Sequence, residues 1–275
     1  MTKKALWTAR DLVIRGRDGR SYDVGSFEIC AGERVAFVGP NREFRRSLMR
    51  VLAGLEAALK GHLELDGEKV PLRHERRLWR DLLSKRVRRK IGISLESEGL
   101  LSNVSIRESM ETFFRFKYGD HNTQLVEGAA RIVEESAERV GLTGRDLDRR
   151  PSELGSLELR LASVCLAFLT KPAILLLENP SSGLHDRGWL AFSSSLEQVL
   201  EGTHRTLLME SDDWLLAKRH STRWLVFEEE SIVFDGAPEL YVERCGKSVL
   251  TELETERFQA RRTWIDELRK NMGAA

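Results

Sequence analysis

A chain of 275 residues with 41% hydrophobic and 32% charged side chains can bury a substantial core, which excludes an intrinsically disordered protein. Its 44 Lys and Arg nearly cancel its 43 Asp and Glu, so no global field draws nucleic acid or acidic ligands toward it. No stretch approaches the ~18 apolar residues of a membrane span, so any work at a membrane requires another subunit to do the spanning.

The N-terminal MTKKALWTARD lacks an apolar signal core. Apolar runs bounded by turn residues predict strands near Leu6–Ile14, Arg34–Val38, His62–Leu65 and Ile91–Leu95. A helical stretch follows, with Ile106, Met110, Phe113 and Phe114 and then Leu125, Ala129, Ile132, Val133, Ala137 and Val140 recurring at helical spacing. A further apolar helix spans about Leu157 to Leu169. Strands are again predicted near Ala173–Glu178, Arg205–Glu210, Trp224–Phe227 and Ser231–Phe234. Strands separated by helices imply a mostly parallel sheet with a helical insertion at about 101–158. Cys30, Cys165 and Cys245 are far apart and lack metal-ligand spacing, which suits free thiols in a reducing cytoplasm and gives no metal site.

Two charged segments stand out. Arg73 to Lys90 carries nine Lys or Arg against two acids, a solvated helix face or a contact for anionic headgroups or a membrane subunit. Ser248 to Met272 aligns Leu250, Leu253, Trp264, Ile265, Leu268 and Met272 on one approximate helical face, an amphipathic extension that folds back or docks on a partner.

The most informative segment is Gly39-Pro40-Asn41-Arg42-Glu43-Phe44-Arg45-Arg46-Ser47. It follows the apolar Val35–Val38 and precedes a helical pattern, the strand–glycine loop–helix context of a phosphate-binding loop. Such a loop wants a second Gly, then Lys, then Ser or Thr, because backbone N–H groups wrap around phosphate oxygens. Phe44, Arg45 and Arg46 stand at those three positions. Gly39, Asn41, Arg42, Arg45, Arg46 and Ser47 are the candidate nucleotide or anion site, in altered form. Arg42 and Phe44 are expected to crowd the phosphates. Phe44 would be strained in a left-handed cradle at a cost of ~1–2 kcal/mol, so a relaxed loop is preferred. The three arginines either hold an anion at a helix N-terminus or pair with Glu178 and Glu96; the second arrangement is the preferred reading.

From about Leu6 to Leu240 the chain resembles an ABC-transporter nucleotide-binding subunit, most closely the ATPases of Mla/Mce-type lipid importers. The resemblance rests on the order of its motifs. A turn at Asp66-Gly67 precedes the segment from Ile91 to Met110, which is similar to the glutamine loop with Glu96 in place of Gln. Pro151 to Glu158 falls at the signature motif, Ala173 to His185 resembles the Walker B strand and D-loop, and Thr206 to Asp213 resembles the switch-histidine segment. The implied fold is α/β: a P-loop NTPase-like ABC nucleotide-binding domain with a mostly parallel sheet, a small antiparallel β subdomain and a helical subdomain. Residues 1–246 would form that domain and 247–275 the C-terminal extension.

Measured against the family, the reactive positions are altered. Glu178 and Asn179 stand where Asp and the general base Glu belong, and an amide cannot take a proton from water. Ser211 replaces the switch histidine, Glu96 sets an anion beside the phosphates, and His185 replaces the D-loop Asp. The signature-like residues Gly155, Ser156, Leu157 and Glu158 keep a hydroxyl and backbone donors at a helix start. The family's adenine-stacking aromatic is replaced near Arg15-Gly16. The expectation is a pseudo-ATPase, not an enzyme, with binding of ATP and Mg2+ weak or lost and no cofactor. The alternative is an ATP-binding subunit with residual hydrolysis through a rebuilt site. Partners implied by the resemblance are a transmembrane permease, docked at Leu100 and Leu101, and a homodimer or heterodimer mate, with no nucleic acid. The location implied is the cytoplasmic face of the cell membrane, and the role implied is transport, with lipids the cargo suggested by the Mla/Mce resemblance.

Overall fold

The computed structural model describes residues 4–72, 83–96, 99–118 and 128–245. The first nine strands and the first eight helices of the described residues lie in one compact unit, Met1–Asp235. A second unit is assigned to Gly236–Ala275.

Strand β1 (Ala5–Arg15) pairs antiparallel with β2 (Ser21–Cys30). The sequence reading missed β2, because its alternation of Tyr22, Val24, Phe27 and Ile29 slips by one residue around Gly25, where the β1–β2 register shifts. Strand β3 (Arg34–Val38) and helix α1 (Arg42–Leu52) follow, then the short β4 (Lys60–Leu65) and β5 (Glu68–Lys69). These complete an antiparallel sheet in the order β2-β1-β4-β5. Trp7, Leu12, Ile14 and Ile29 are fully buried beneath it.

Helix α2 (Lys85–Arg88) and strand β6 (Ile91–Ser94) lead into a helical stretch: α3 (Ile106–Tyr118), α4 (Ala129–Val140), α5 (Gly144–Leu147) and α6 (Ser156–Phe168). Helix α4 ends on Gly141 in the left-handed conformation, and α5 opens on a Thr143–Asp146 capping box, so each boundary is written locally. Strand β7 (Ile174–Glu178), helix α7 (Asp186–Leu200), β8 (Thr206–Glu210), α8 (Trp214–His220), β9 (Arg223–Glu228) and β10 (Ser231–Gly236) follow. In the second unit α9 spans Pro238–Cys245.

The second sheet has the order β10-β9-β3-β8-β7-β6, and the pairings β9–β3, β3–β8, β8–β7 and β7–β6 are all parallel. Every residue of β7 and β8 is buried, as a parallel sheet covered on both faces requires. The architecture is thus the expected one of a mostly parallel sheet, a small antiparallel sheet and a helical stretch between β6 and β7. The carboxyl ends of β3, β7 and β8 open together onto the first turn of α1, the place where such sheets bind ligands. Most of the basic stretch Arg73–Lys90, and all of the C-terminal segment from 246, lie outside the described residues.

Candidate functional site

Gly39 follows β3 with φ +115°, and a Cβ there would lie 2.4 Å from the carbonyl oxygen of Phe227. Only glycine lets the chain leave the strand this close to β9. Asn41 then caps α1 by accepting from the Phe44 N–H at 3.0 Å. The helix starts at once, so the loop is a bend of three residues and not a cradle.

That geometry corrects the expectation for Phe44. It is a helical residue with no positive φ, and its ring is fully buried. It stacks flat on Tyr22, with centroids 4.7 Å apart and planes at 7°, and meets the edge of Phe227 at 4.8 Å. Phe44 therefore does not crowd the phosphate space; it has joined the core.

The arginines face carboxylates delivered by three other strands. Arg42 Nη2 donates to both oxygens of Glu96, at 2.7 and 2.6 Å, and its Nε lies 3.2 Å from Asp212 Oδ2. Arg46 Nε donates to Glu178 Oε1 at 2.5 Å, with Nη1 3.5 Å from Glu96. Arg45, at the Lys position, is 1% exposed; it donates to the fully buried Glu210 at 2.9 Å and also to Asp212. Of the two arrangements weighed for the arginines, the structure shows pairing with Glu96 and Glu178. Three cations thus meet four carboxylates.

Position sets protonation. Burial pushes the Glu210 carboxyl up to about 7, against the pull of Arg45, and its Oε2 has no partner among the described residues. Burial also pulls Glu96 upward, but hydrogen bonds from Ser182 and Asn179 and the charges of Arg42 and Arg46 hold it below its ordinary value. Glu178 keeps Arg46 raised, despite the lowering effect of burial.

Asn179 sits at φ +40°, a left-handed conformation that Asn tolerates better than most side chains. Its Nδ2 donates to Glu96 at 2.9 Å and Asp212 at 3.2 Å, which spares two carboxylates from facing each other. Ser211 is not directed into this cluster: its hydroxyl accepts from the Asp213 N–H and donates to the Asp213 carbonyl. Asp213 in turn caps α8. Ser47 donates back to Glu43 at 3.0 Å. His185 is exposed at the N-cap of α7, and Gly155 and Ser156 are exposed at the start of α6, with Leu157 and Glu158 half-buried. Leu101 is 49% exposed and Leu100 half-buried in the loop before α3.

Sequence reasoning missed Glu210, Asp212 and Arg160. Arg160, on α6, donates to the carbonyls of Glu96 and of Ser182, tying both loops to that helix. Nothing in the sequence marks it, because its partners are main-chain oxygens 64 and 22 residues away.

Strand ends that meet the capped first turn of a following helix behind an obligatory glycine define a phosphate-loop nucleotide-binding fold. Residues 22–182 match the family model described as ABC transporter, and the chain belongs to that family. Over 78% or more of its length it is similar to curated relatives. It is 28% identical to the energy-coupling factor transporter ATP-binding protein EcfA of Methanothermobacter thermautotrophicus, over 83% of this chain and 70% of that one. It is 26% identical to the lipoprotein-releasing system ATP-binding protein LolD of Pseudomonas fluorescens, over 85% and 99%. An ATP-binding cassette solved as a dimer with ADP and Pi superposes with TM-score 0.72 at 18% identity, over 85% of this chain and 99% of that one. The cbiO1 protein of Clostridium perfringens superposes with TM-score 0.69 at 19%, over 98% and 100%.

These findings correct two expectations. An ATPase-dead chain, with ATP and Mg2+ lost, does not stand: the family match runs through the altered loop and the end of β7, and the relatives are ATP-binding proteins of transporters. The physical reason is that ion pairs are reversible. Arg42 and Arg46 keep 42% and 24% of their side chains exposed, so substitution of the family residues does not seal the site.

Proposed function

We propose that this chain is an ATP-binding subunit of an ABC transporter, hydrolysing ATP through a rebuilt site and docking on a membrane permease near Leu100 and Leu101. The observation that carries it is the pair Arg42 and Arg46, part-exposed at the first turn of α1 within a matched ABC segment. Phosphate oxygens take the place of Glu96 and Glu178 on the two guanidiniums, which suit bidentate phosphate contact. Arg45 stays with Glu210 and keeps β8 in register beneath the helix.

The residues present fit magnesium. Mg2+ takes one or two carboxylates together with substrate phosphates, and Glu178 and Glu96 are hard oxygen donors released by the same exchange. Among the described residues no group of three or more His, Cys, Asp or Glu could hold an ion alone, in keeping with a metal that arrives with the phosphates. Bound there, the metal supplies charge neutralisation at the phosphates. Asn179 orients Glu96 and Asp212, and turnover depends on Glu178.

Among the described residues no helix is long and apolar enough to cross a membrane, so attachment to the inner face of the cell membrane is assigned to the permease. Pairing with a second ATPase subunit belongs to the same reading, as does the division into a domain at 1–246 and an extension at 247–275. Lipid transport draws support from the LolD likeness. Titrating the full chain with ATP and Mg2+, then measuring phosphate release by the chain and by Glu178→Gln, tests the assignment. Saturable binding with turnover lost in the variant is expected. No binding at millimolar ATP overturns it.

A further inference from the structure

At the amino end of β7, the opposite end of that strand from Glu178, a cavity of about 290 Å³ opens where α3, α4 and the end of α6 converge. Phe114, Tyr118, Ile132, Phe168 and Leu169 form its apolar walls. Small-molecule pockets begin at ~300 Å³, so a short ligand fits the space.

The rim is cationic. Arg139 on α4 and Lys171 after α6 line the cavity, and both are exposed. The Arg139 guanidinium lies 5.2 Å from the centre of the Phe168 ring, and that of Arg205 lies 4.7 Å from the same ring. Lys117 reaches the edge by donating to Thr170 Oγ1, a lining group, at 2.7 Å. The lining acid Glu135 is exposed and pairs with Arg131 at 3.5 Å.

These cations act on one another. Burial first, then the charge of Arg139, holds Arg205 below its ordinary value. Burial first, then the charge of Arg89, pulls the Lys117 ammonium down to about 8. An anion settling at the rim relieves that repulsion, and an apolar tail attached to it leaves water for the walls below. A cation gains only the second term and meets repulsion instead of the first.

We propose that this cavity binds a small anionic amphiphile, a monocarboxylate with an acyl or aryl tail of about eight carbons. Its carboxylate sits on Arg139 and Lys171, and its tail lies against Phe114, Ile132 and Leu169. The site stands apart from the nucleotide reading, and neither depends on the other.

The test is calorimetric titration of the full chain with monomeric octanoate, butyrate and octylamine, beside cosedimentation with phosphatidylglycerol vesicles. Octanoate should bind saturably at one site per chain, butyrate at least about tenfold more weakly, and octylamine not at all. Arg139→Gln, on the exposed rim, should weaken octanoate about tenfold while melting near the parent. Ile132→Trp fills the cavity and should abolish binding; if that variant does not fold, Arg139→Gln decides alone. The proposal is overturned if octanoate does not saturate, if butyrate or octylamine matches it, or if Arg139→Gln or a folded Ile132→Trp binds it as the parent does. Cosedimentation with the vesicles without binding of monomeric octanoate also overturns it, and gives the cationic rim to a bilayer surface.

Discussion

Asn179 is the residue where backbone and charge demands coincide. Its φ of +40° disfavours a side chain with a Cβ, and its amide stands between Glu96 and Asp212. Asn179→Ala removes both hydrogen bonds and keeps the conformational cost, so a loss of about 2 kcal/mol is expected in chemical denaturation. Asn179→Gly relieves the backbone and should lose less. Equal losses in the two variants would show that the left-handed conformation carries no strain. Glu96→Gln tests the ion pairs directly: it removes the carboxylate shared by Arg42 and Arg46, so tripolyphosphate titrated without Mg2+ should bind more tightly, by about tenfold. Unchanged affinity would mean that Glu96 does not compete with the ligand. At this scale the sequence revealed that arginines occupy the loop and that Glu96 and Glu178 could meet them. Glu210, Asp212 and Arg160 were illegible: no motif position marks them, and Arg160 acts through main-chain oxygens, which any residue carries.

Helix α1 shows how a whole element absorbs a change in its motif. With Phe44 where a phosphate loop has glycine, the helix extends back to Arg42 and sends the ring into the core between Tyr22 and Phe227. Restoring the motif by Phe44→Gly should therefore not reopen a loop. The change leaves a cavity worth ~3–5 kcal/mol and places glycine in a helix, which adds about 1 kcal/mol. A cooperative melt shifted sharply downward is expected; a variant as stable as the parent would show that the ring is not part of the core. Elements with fully buried strands were the readable ones: β3, β7 and β8 are continuous apolar runs that end where the sequence placed them. The Phe44 ring was misread because position in a motif says nothing about which way a helical side chain points.

Across the molecule, acid and docking act at separate places. His220 closes α8 and is 3% exposed; its Nε2 lies 2.8 Å from Ser193 Oγ on α7, and Arg219, Glu197 and Arg34 are the charged groups around it. Burial first, then Arg219, pulls its pKa down to about 4, below the ~6.5 of an unfolded chain. The unfolded chain takes the proton first, so this contribution is present in full above about pH 6.5 and is lost as pH falls toward 4. The loss approaches about 3 kcal/mol, and in His220→Gln the slope of melting temperature against pH in that window should flatten. An unchanged slope would assign the acid lability to other groups.

Leu101 is the clearest mark of the proposed docking surface. It is 49% exposed, its backbone N–H is held by Ser109 Oγ at 2.7 Å, and the neighbouring Leu100 is half-buried. The loop geometry is thus fixed from below while one apolar side chain is left in solvent, as an anchor for a partner requires. Leu101→Asp removes no core contact of consequence, so its stability should stay within about 1 kcal/mol of the parent. Copurification of the permease subunit should nonetheless be lost, and phosphate binding at Arg42 and Arg46 should be unchanged. Retained copurification in the stable variant would move the docking surface away from this loop, and a collapse in stability would place Leu101 in the core instead.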